Sequence, residues 1–203
     1  MNISLTLAII LITCGISLLA MSNPVILGNL IMNPYITNRK NQYYRFITSG
    51  FIHKDYMHLG FNMISFYFFG DEIEAWLGGF RFIVLYIAAI VIADIPTYLK
   101  YKNDPNYNSL GASGGVSAII FASILLRPMN MLGIYFIIPV PAFLFGIFYL
   151  IYSYYMDKRS NQEINHSAHF YGAVVGIVYT SALYPKLLPA FFTKIFEEIQ
   201  KIF

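Results

Sequence analysis

Charge is what this chain has least of. Asp, Glu, Lys and Arg make up 11% of its 203 residues, against roughly a quarter in soluble domains, while 58% are hydrophobic and 18% aromatic. That balance excludes an ordinary soluble fold. With 13 basic against 10 acidic residues and no run of five or six basic ones, nucleic-acid binding is excluded too. The single cysteine, Cys14, can form no intrachain disulfide and reads as a packed thiol in an apolar run. No His-Glu-x-x-His run or cysteine cluster is present, so no metal or organic cofactor is expected. The first apolar run lacks the basic start and small-residue cleavage pattern of a secretory signal, and is read as a retained span. No internal repeat is visible, which weakens a transporter built on inverted repeats.

What is present is a succession of long apolar runs. The first covers about 3–21, and five more follow at about 56–77, 80–99, 111–127, 131–155 and 167–187. The expectation is an all-α membrane protein, a bundle of six transmembrane helices with both termini on one side. It forms one domain over 1–203, with a core at about 44–187. Between Ser22 and Asp55, Pro24, Pro34, Arg39, Lys40 and Arg45 break up the chain while Phe46, Ile47, Phe51 and Ile52 stay apolar, suggesting a long loop partly sunk in the membrane. Residues 189–203 place Phe192, Ile195, Phe196, Ile199, Ile202 and Phe203 at helical spacing, the pattern of an interfacial helix.

Two of the apolar runs begin with reactive side chains. In Gly111-Ala112-Ser113-Gly114, the small residues let backbones approach, and Ser113 falls where a helix start leaves N–H groups unpaired. The dipole and free donors there favour an oxyanion formed when the Ser113 hydroxyl attacks a carbonyl. Ser109 is placed to cap that helix. His169, about one turn into the last run, is an ionisable group costly to bury and therefore a functional candidate. Ala168, Gly172 and Gly176 form a small-residue stripe beside it, close enough in packing for a direct Ser113–His169 hydrogen bond. His58 and Asn62, four residues apart, share a helix face and can join the Ser113 amide as oxyanion donors. Asp71, Glu72 and Glu74 lie at the far end of that helix, so a Ser–His dyad is expected without an acidic third member. Asp94 is given an interfacial or capping role, and His53 and His166 are read as loop hydrogen-bonding residues. Helix packing alone would account for the glycines, and a carbonyl-bonded histidine for His169.

These motifs together resemble the rhomboid intramembrane serine proteases. Gly111-Ala112-Ser113-Gly114 is similar to their nucleophile motif, and Ala168-His169-Phe170-Tyr171-Gly172 with Gly176 to their histidine helix. His58-Leu59-Gly60-Phe61-Asn62 resembles the family's His-x-x-x-Asn, and Glu74 with Gly78 its structural Glu-x-x-x-Gly. The resemblance covers about 44–176. It implies an endopeptidase in which Ser113 is nucleophile, His169 is general base and acid, and His58, Asn62 and the Ser113 amide stabilise the oxyanion. Two positions depart from the pattern. The family's Trp-Arg pair is Tyr44-Arg45 here, and Ser117 stands where a tyrosine often stacks on the histidine, so another ring is expected to replace it.

The expected partners are transmembrane protein substrates and the lipid bilayer. Substrate-binding residues and oligomeric state are not legible. Gly133, Pro139, Pro141 and Gly146 suggest a kinked fifth span that serves as a lateral gate, and the polar stretch Asp157–Asn165 suggests a cap over the site. The family's orientation places eight basic residues (Arg39, Lys40, Arg45, Lys54, Lys100, Lys102, Lys158, Arg159) outside and five (Arg81, Arg127, Lys186, Lys194, Lys201) inside, opposite to the positive-inside rule. Brevity suggests a bacterial cytoplasmic membrane. The rival readings are an inactive rhomboid-like factor that binds membrane proteins, and a small transporter or channel lined by His58, Asn62 and His169.

Overall fold

A computed structural model describes residues 3–134, 138–159 and 165–201. Helix α1 (Leu5–Ser22) starts at Ser4, whose Oγ accepts the Leu7 N–H at 3.2 Å. The broken segment after it is more ordered than its prolines suggest. Asn23 and Asn33 each cap a short helix whose first residue is proline, giving α2 (Pro24–Leu30) and α3 (Pro34–Lys40). Proline at the first helical position loses no hydrogen bond and arrives with helical φ, so Asn-Pro is a start signal as well as a break. Helix α4 (Arg45–Thr48) and a 3-10 turn at Ser49–Phe51 complete the segment. Arg45 is buried and donates to the Gly28 and Ile31 carbonyls at 2.8 and 2.6 Å and to Gln42 Oε1 at 2.8 Å. Those bonds fasten the segment to itself.

The later helices occupy the expected runs: α5 (Tyr56–Leu77), α6 (Gly79–Tyr101), α7 (Ser113–Leu126), α8 (Ala142–Arg159) and α9 (His166–Leu183). With α1 they make the expected six-helix, all-α membrane bundle. By length and apolarity alone, α1 and α6 qualify as membrane-crossing helices among the described residues. Helix α7 is different. It has 14 residues, about 21 Å at the α-helical rise, against a hydrocarbon core of about 30 Å. From Gly114 to Leu125 it is buried throughout, so α7 is the axis around which the others pack. Glu74 ties α5 to α1 by accepting the Leu5 and Thr6 N–H groups at 2.9 and 2.8 Å and the Thr6 hydroxyl at 2.9 Å. At the far end of α7, Arg127 ion-pairs with Glu72, which also accepts the Ser123 hydroxyl at 3.1 Å.

The fifth span starts later than its apolar run. Residues Met131–Ile134 (β1) pair antiparallel with Ile138–Pro141 (β2), Gly133 opposite Pro139 and Met131 opposite Pro141. Proline lacks the N–H a helix interior needs, and two of them spaced by one residue hold the chain extended. Gly133, Pro139 and Pro141 therefore precede α8 and do not kink it. Only Gly146 lies inside, and it packs on α7: a Cβ there would meet Ile124 and Phe121 at 3.3 and 3.4 Å. The expected cap falls largely on residues 160–164, outside the described residues. Helix α10 (Leu187–Gln200) turns 107° from α9 and leaves Phe192, Phe196 and Ile199 exposed.

Candidate active site

The nucleophile loop is held from several sides. Ser109 pairs backbone-to-backbone with Met32, its N–H donating at 2.9 Å and its carbonyl accepting at 3.1 Å. The Gly111 N–H donates to the Ser49 carbonyl at 2.9 Å, and the Ala112 N–H to His53 Nε2 at 3.3 Å. Gly111 has φ +119°, a left-handed conformation that favours glycine, and the His58 ring lies against it. A Cβ there would fall 2.8 Å from His58 Nε2 and 2.7 Å from its Cε1. Ala112, not Ser109, is the residue before the helix, and it offers no side-chain cap. The first intrahelical donor is Val116, bonded to the Ala112 carbonyl at 2.9 Å, so the N–H groups of Ser113, Gly114 and Gly115 lack intrahelical partners. Ser113, half-buried, starts α7 beside those donors.

His53 carries more of this loop than its sequence position suggests. Since Nε2 accepts the Ala112 N–H, Nδ1 holds the proton and donates to Ser17 Oγ at 2.9 Å, and Ser17 donates on to the Phe51 carbonyl at 3.0 Å. This chain of bonds suits only the neutral ring. Burial first, and repulsion from nearby His58 second, push the His53 pKa down to about 3.

His169 enters from α9, which meets α7 at two glycines. A Cβ on Gly172 would overlap the Gly114 carbonyl, and one on Gly176 the Ala118 carbonyl. The small-residue stripe read from sequence thus places backbone on backbone, at the level of the serine's own helical turn. No hydrogen bond joins Ser113 to His169 among the described residues, so the expected direct contact is not made. Serine–histidine bonds of this type often close only with substrate present. The His169 ring instead stacks on Tyr149 of α8, with centroids 6.1 Å apart and planes at 21°. The Tyr149 hydroxyl bonds Ser117 Oγ at 2.6 Å. Serine at position 117 removes one ring and anchors another.

The remaining expected residues divide. His58 and Asn62 share the loop-facing end of α5; the Asn62 amide donates to the His58 carbonyl at 2.9 Å, leaving one N–H for another acceptor. His166 is the first residue of α9, not a loop residue. It is buried, packs its edge on His169 with centroids 5.8 Å apart, and its Nδ1 has no partner among the described residues. Asp94 is buried. It accepts from Ser49 at 3.4 Å and Asn165 at 3.3 Å and does not touch the dyad. Tyr149 and Asn165 went unread in the sequence. Asn165 had a visible signal, a capping residue ahead of an apolar run. Tyr149 had none, because it reaches the site across two helices.

A short serine-bearing helix, clasped by a histidine helix through glycines inside a bundle of apolar spans, defines a polytopic integral membrane protein with a polar site at one end. Residues 40–186 match the family model described as Rhomboid domain, and the chain belongs to the rhomboid family. It is similar to RHOMBOID-like protein 12, mitochondrial, of Arabidopsis thaliana, with 35% identity over 65% of this chain and 44% of that protein. Rhomboid-like protein 11, chloroplastic, from the same plant is 30% identical over 73% of this chain and 55% of its own length. Rhomboid protease GlpG of Haemophilus influenzae is 24% identical over 74% of each chain. The chain spans about half the length of the two plant relatives.

Proposed function

We propose that this chain is an intramembrane serine endopeptidase that cuts transmembrane protein substrates with a Ser113–His169 dyad. The observation that carries the proposal is the loop at Gly111–Ser113, pressed under His58 and opening onto unpaired helix N–H groups, with His169 held on the helix packed against it. Attack of Ser113 Oγ on a peptide carbonyl passes the hydroxyl proton to His169. The oxyanion is met by the Ser113 N–H, His58 and Asn62, where loss of one donor typically costs about 10²–10³ in rate. His169 then protonates the leaving amine, and water releases the acyl group from Ser113 by the same route in reverse. The substrate helix must unwind to expose its carbonyl, which favours Gly, Ala, Ser or Pro near the cut.

The name of the Haemophilus relative supports proteolysis. The expected bacterial cytoplasmic membrane gains no support, since the two plant relatives are named mitochondrial and chloroplastic. The open Ser113–His169 pair favours a second reading, an inactive rhomboid-like factor that binds membrane proteins. A fluorophosphonate probe separates them. The protease labels at Ser113, loses the label in Ser113→Ala, and labels far more slowly in His169→Ala; equal labelling of all three proteins, or none of the wild type, ends the proposal.

A further inference from the structure

We propose that Asn165 is a positioning residue that ties the nucleophile loop to the histidine helix, so that Ser113 and His169 keep one relative placement. This rests on the dyad reading above. Asn165 stands immediately before α9, and its Oδ1 accepts the Ala168 N–H at 3.0 Å and the Thr97 hydroxyl at 3.1 Å. A backbone N–H can only donate, so the oxygen of the amide must face α9. The nitrogen then faces the other way. Its two hydrogens go to Ser109 Oγ at 2.9 Å and Asp94 Oδ1 at 3.3 Å. Ser109 begins the loop that delivers Ser113. Asp94 Oδ2 accepts from Ser49 at 3.4 Å, and the Ser49 carbonyl holds the Gly111 N–H at 2.9 Å. One amide therefore touches the cap of the histidine helix with one end and the nucleophile loop with the other, directly through Ser109 and indirectly through Asp94 and Ser49.

The polarity of this arrangement gives a specific test. Asn165→Asp keeps both accepting contacts but, ionised, can donate to neither Ser109 nor Asp94, and it sets a second carboxyl against the buried Asp94. Adding Asp94→Asn reverses the pair. The Asn at 94 then donates to the Asp at 165, and the Ser109 hydroxyl can turn to donate as well, so every group regains a partner. Asp94→Asn alone can rotate its amide to keep both neighbours and is expected to stay within about fivefold of wild type.

Fluorophosphonate labelling of the full chain is measured at a temperature where every variant is folded, beside a thermal unfolding curve for each. Asn165→Asp should label about 10²-fold more slowly, the scale set by a misplacement near 1 Å, and the double variant should recover at least tenfold of that loss. A purely structural role would restore the unfolding midpoint in the double variant without moving labelling in any folded variant. Wild-type-like labelling by Asn165→Asp, or a double variant no faster than the single one, overturns the inference. If the wild type does not label, the dyad reading is what fails. The thermal cycle between positions 94 and 165 then still tests the Asp94–Asn165 contact on which the tie is built, and additive midpoints would overturn the inference.

Discussion

Tyr149 and Ser117 make a closed pair whose removal can be worked through. Ser117 is 2% exposed, and its Oγ meets the Tyr149 hydroxyl at 2.6 Å, so Tyr149→Phe leaves a buried hydroxyl without its partner. Such a loss costs about 1–3 kcal/mol; because a helical serine can turn back to the carbonyl four residues earlier, the lower end, about 1–1.5 kcal/mol, is expected. At roughly 3 °C per kcal/mol for a chain of this size, the unfolding midpoint falls by about 3–5 °C. Ser117→Ala should cost a similar amount. The double variant Ser117→Ala/Tyr149→Phe should cost little more than either alone, a coupling near 1 kcal/mol. Activity should follow a different rule, because the phenylalanine ring still stacks on His169. Cleavage of a model transmembrane substrate should stay within a few-fold of wild type in Tyr149→Phe and drop at least tenfold in Tyr149→Leu, where the imidazole loses its wall. Additive losses in the cycle, or a Tyr149→Leu protein that cleaves like wild type, would refute the assignment of Tyr149 as the ring that Ser117 recruits.

Two other outcomes are expected. Gly172→Ala should destabilise by about 1–3 kcal/mol, because its Cβ meets the Gly114 backbone, whereas Gly15→Ala in α1, with nothing within 4 Å, should be neutral or stabilise by up to about 1 kcal/mol. Thermal unfolding of the pair checks this; equal effects would sink the backbone-contact argument. His53, whose pKa drops from its ordinary 6.5 to about 3, binds its proton more readily unfolded, so stability is full above pH 6.5 and falls as pH drops from 6.5 toward 3, by at most about 1.4 kcal/mol per unit. In His53→Gln the unfolding midpoint should lose part of that slope, and an unchanged profile would clear His53 of the role.

The six-helix plan was legible because a run of some twenty apolar residues is too long for the core of a small soluble domain and matches the thickness of a bilayer, and α5 fell on its run to the residue. The serine and histidine were legible because reactive groups at the mouths of such runs are conspicuous. Proline carries two opposite meanings here that its presence alone does not separate. Pro24 and Pro34 start helices because an asparagine precedes each, while Pro139 and Pro141 extend an apolar run that is a hairpin and not a helix. Hydropathy cannot tell those cases apart; neighbouring residues can. Tyr149 and the Asp94–Asn165 contact were out of reach for a different cause. They join residues 32 and 71 positions apart, and periodicity along one helix says nothing about which face another helix turns toward it.

The difference in length between α6 and α7 sets where along the bundle Ser113 stands. At 23 residues against 14, the two rods differ by about 13 Å, and the stretch 102–112 joins the end of α6 to the start of α7. With Ser113 at the mouth of the shorter rod, solvent is expected to reach it from one side of the membrane only. A charged, bilayer-impermeant reagent added to sealed vesicles would find the serine from that side alone, and so report which way round the chain sits, setting the orientation the family resemblance implies against the one the positive-inside rule implies.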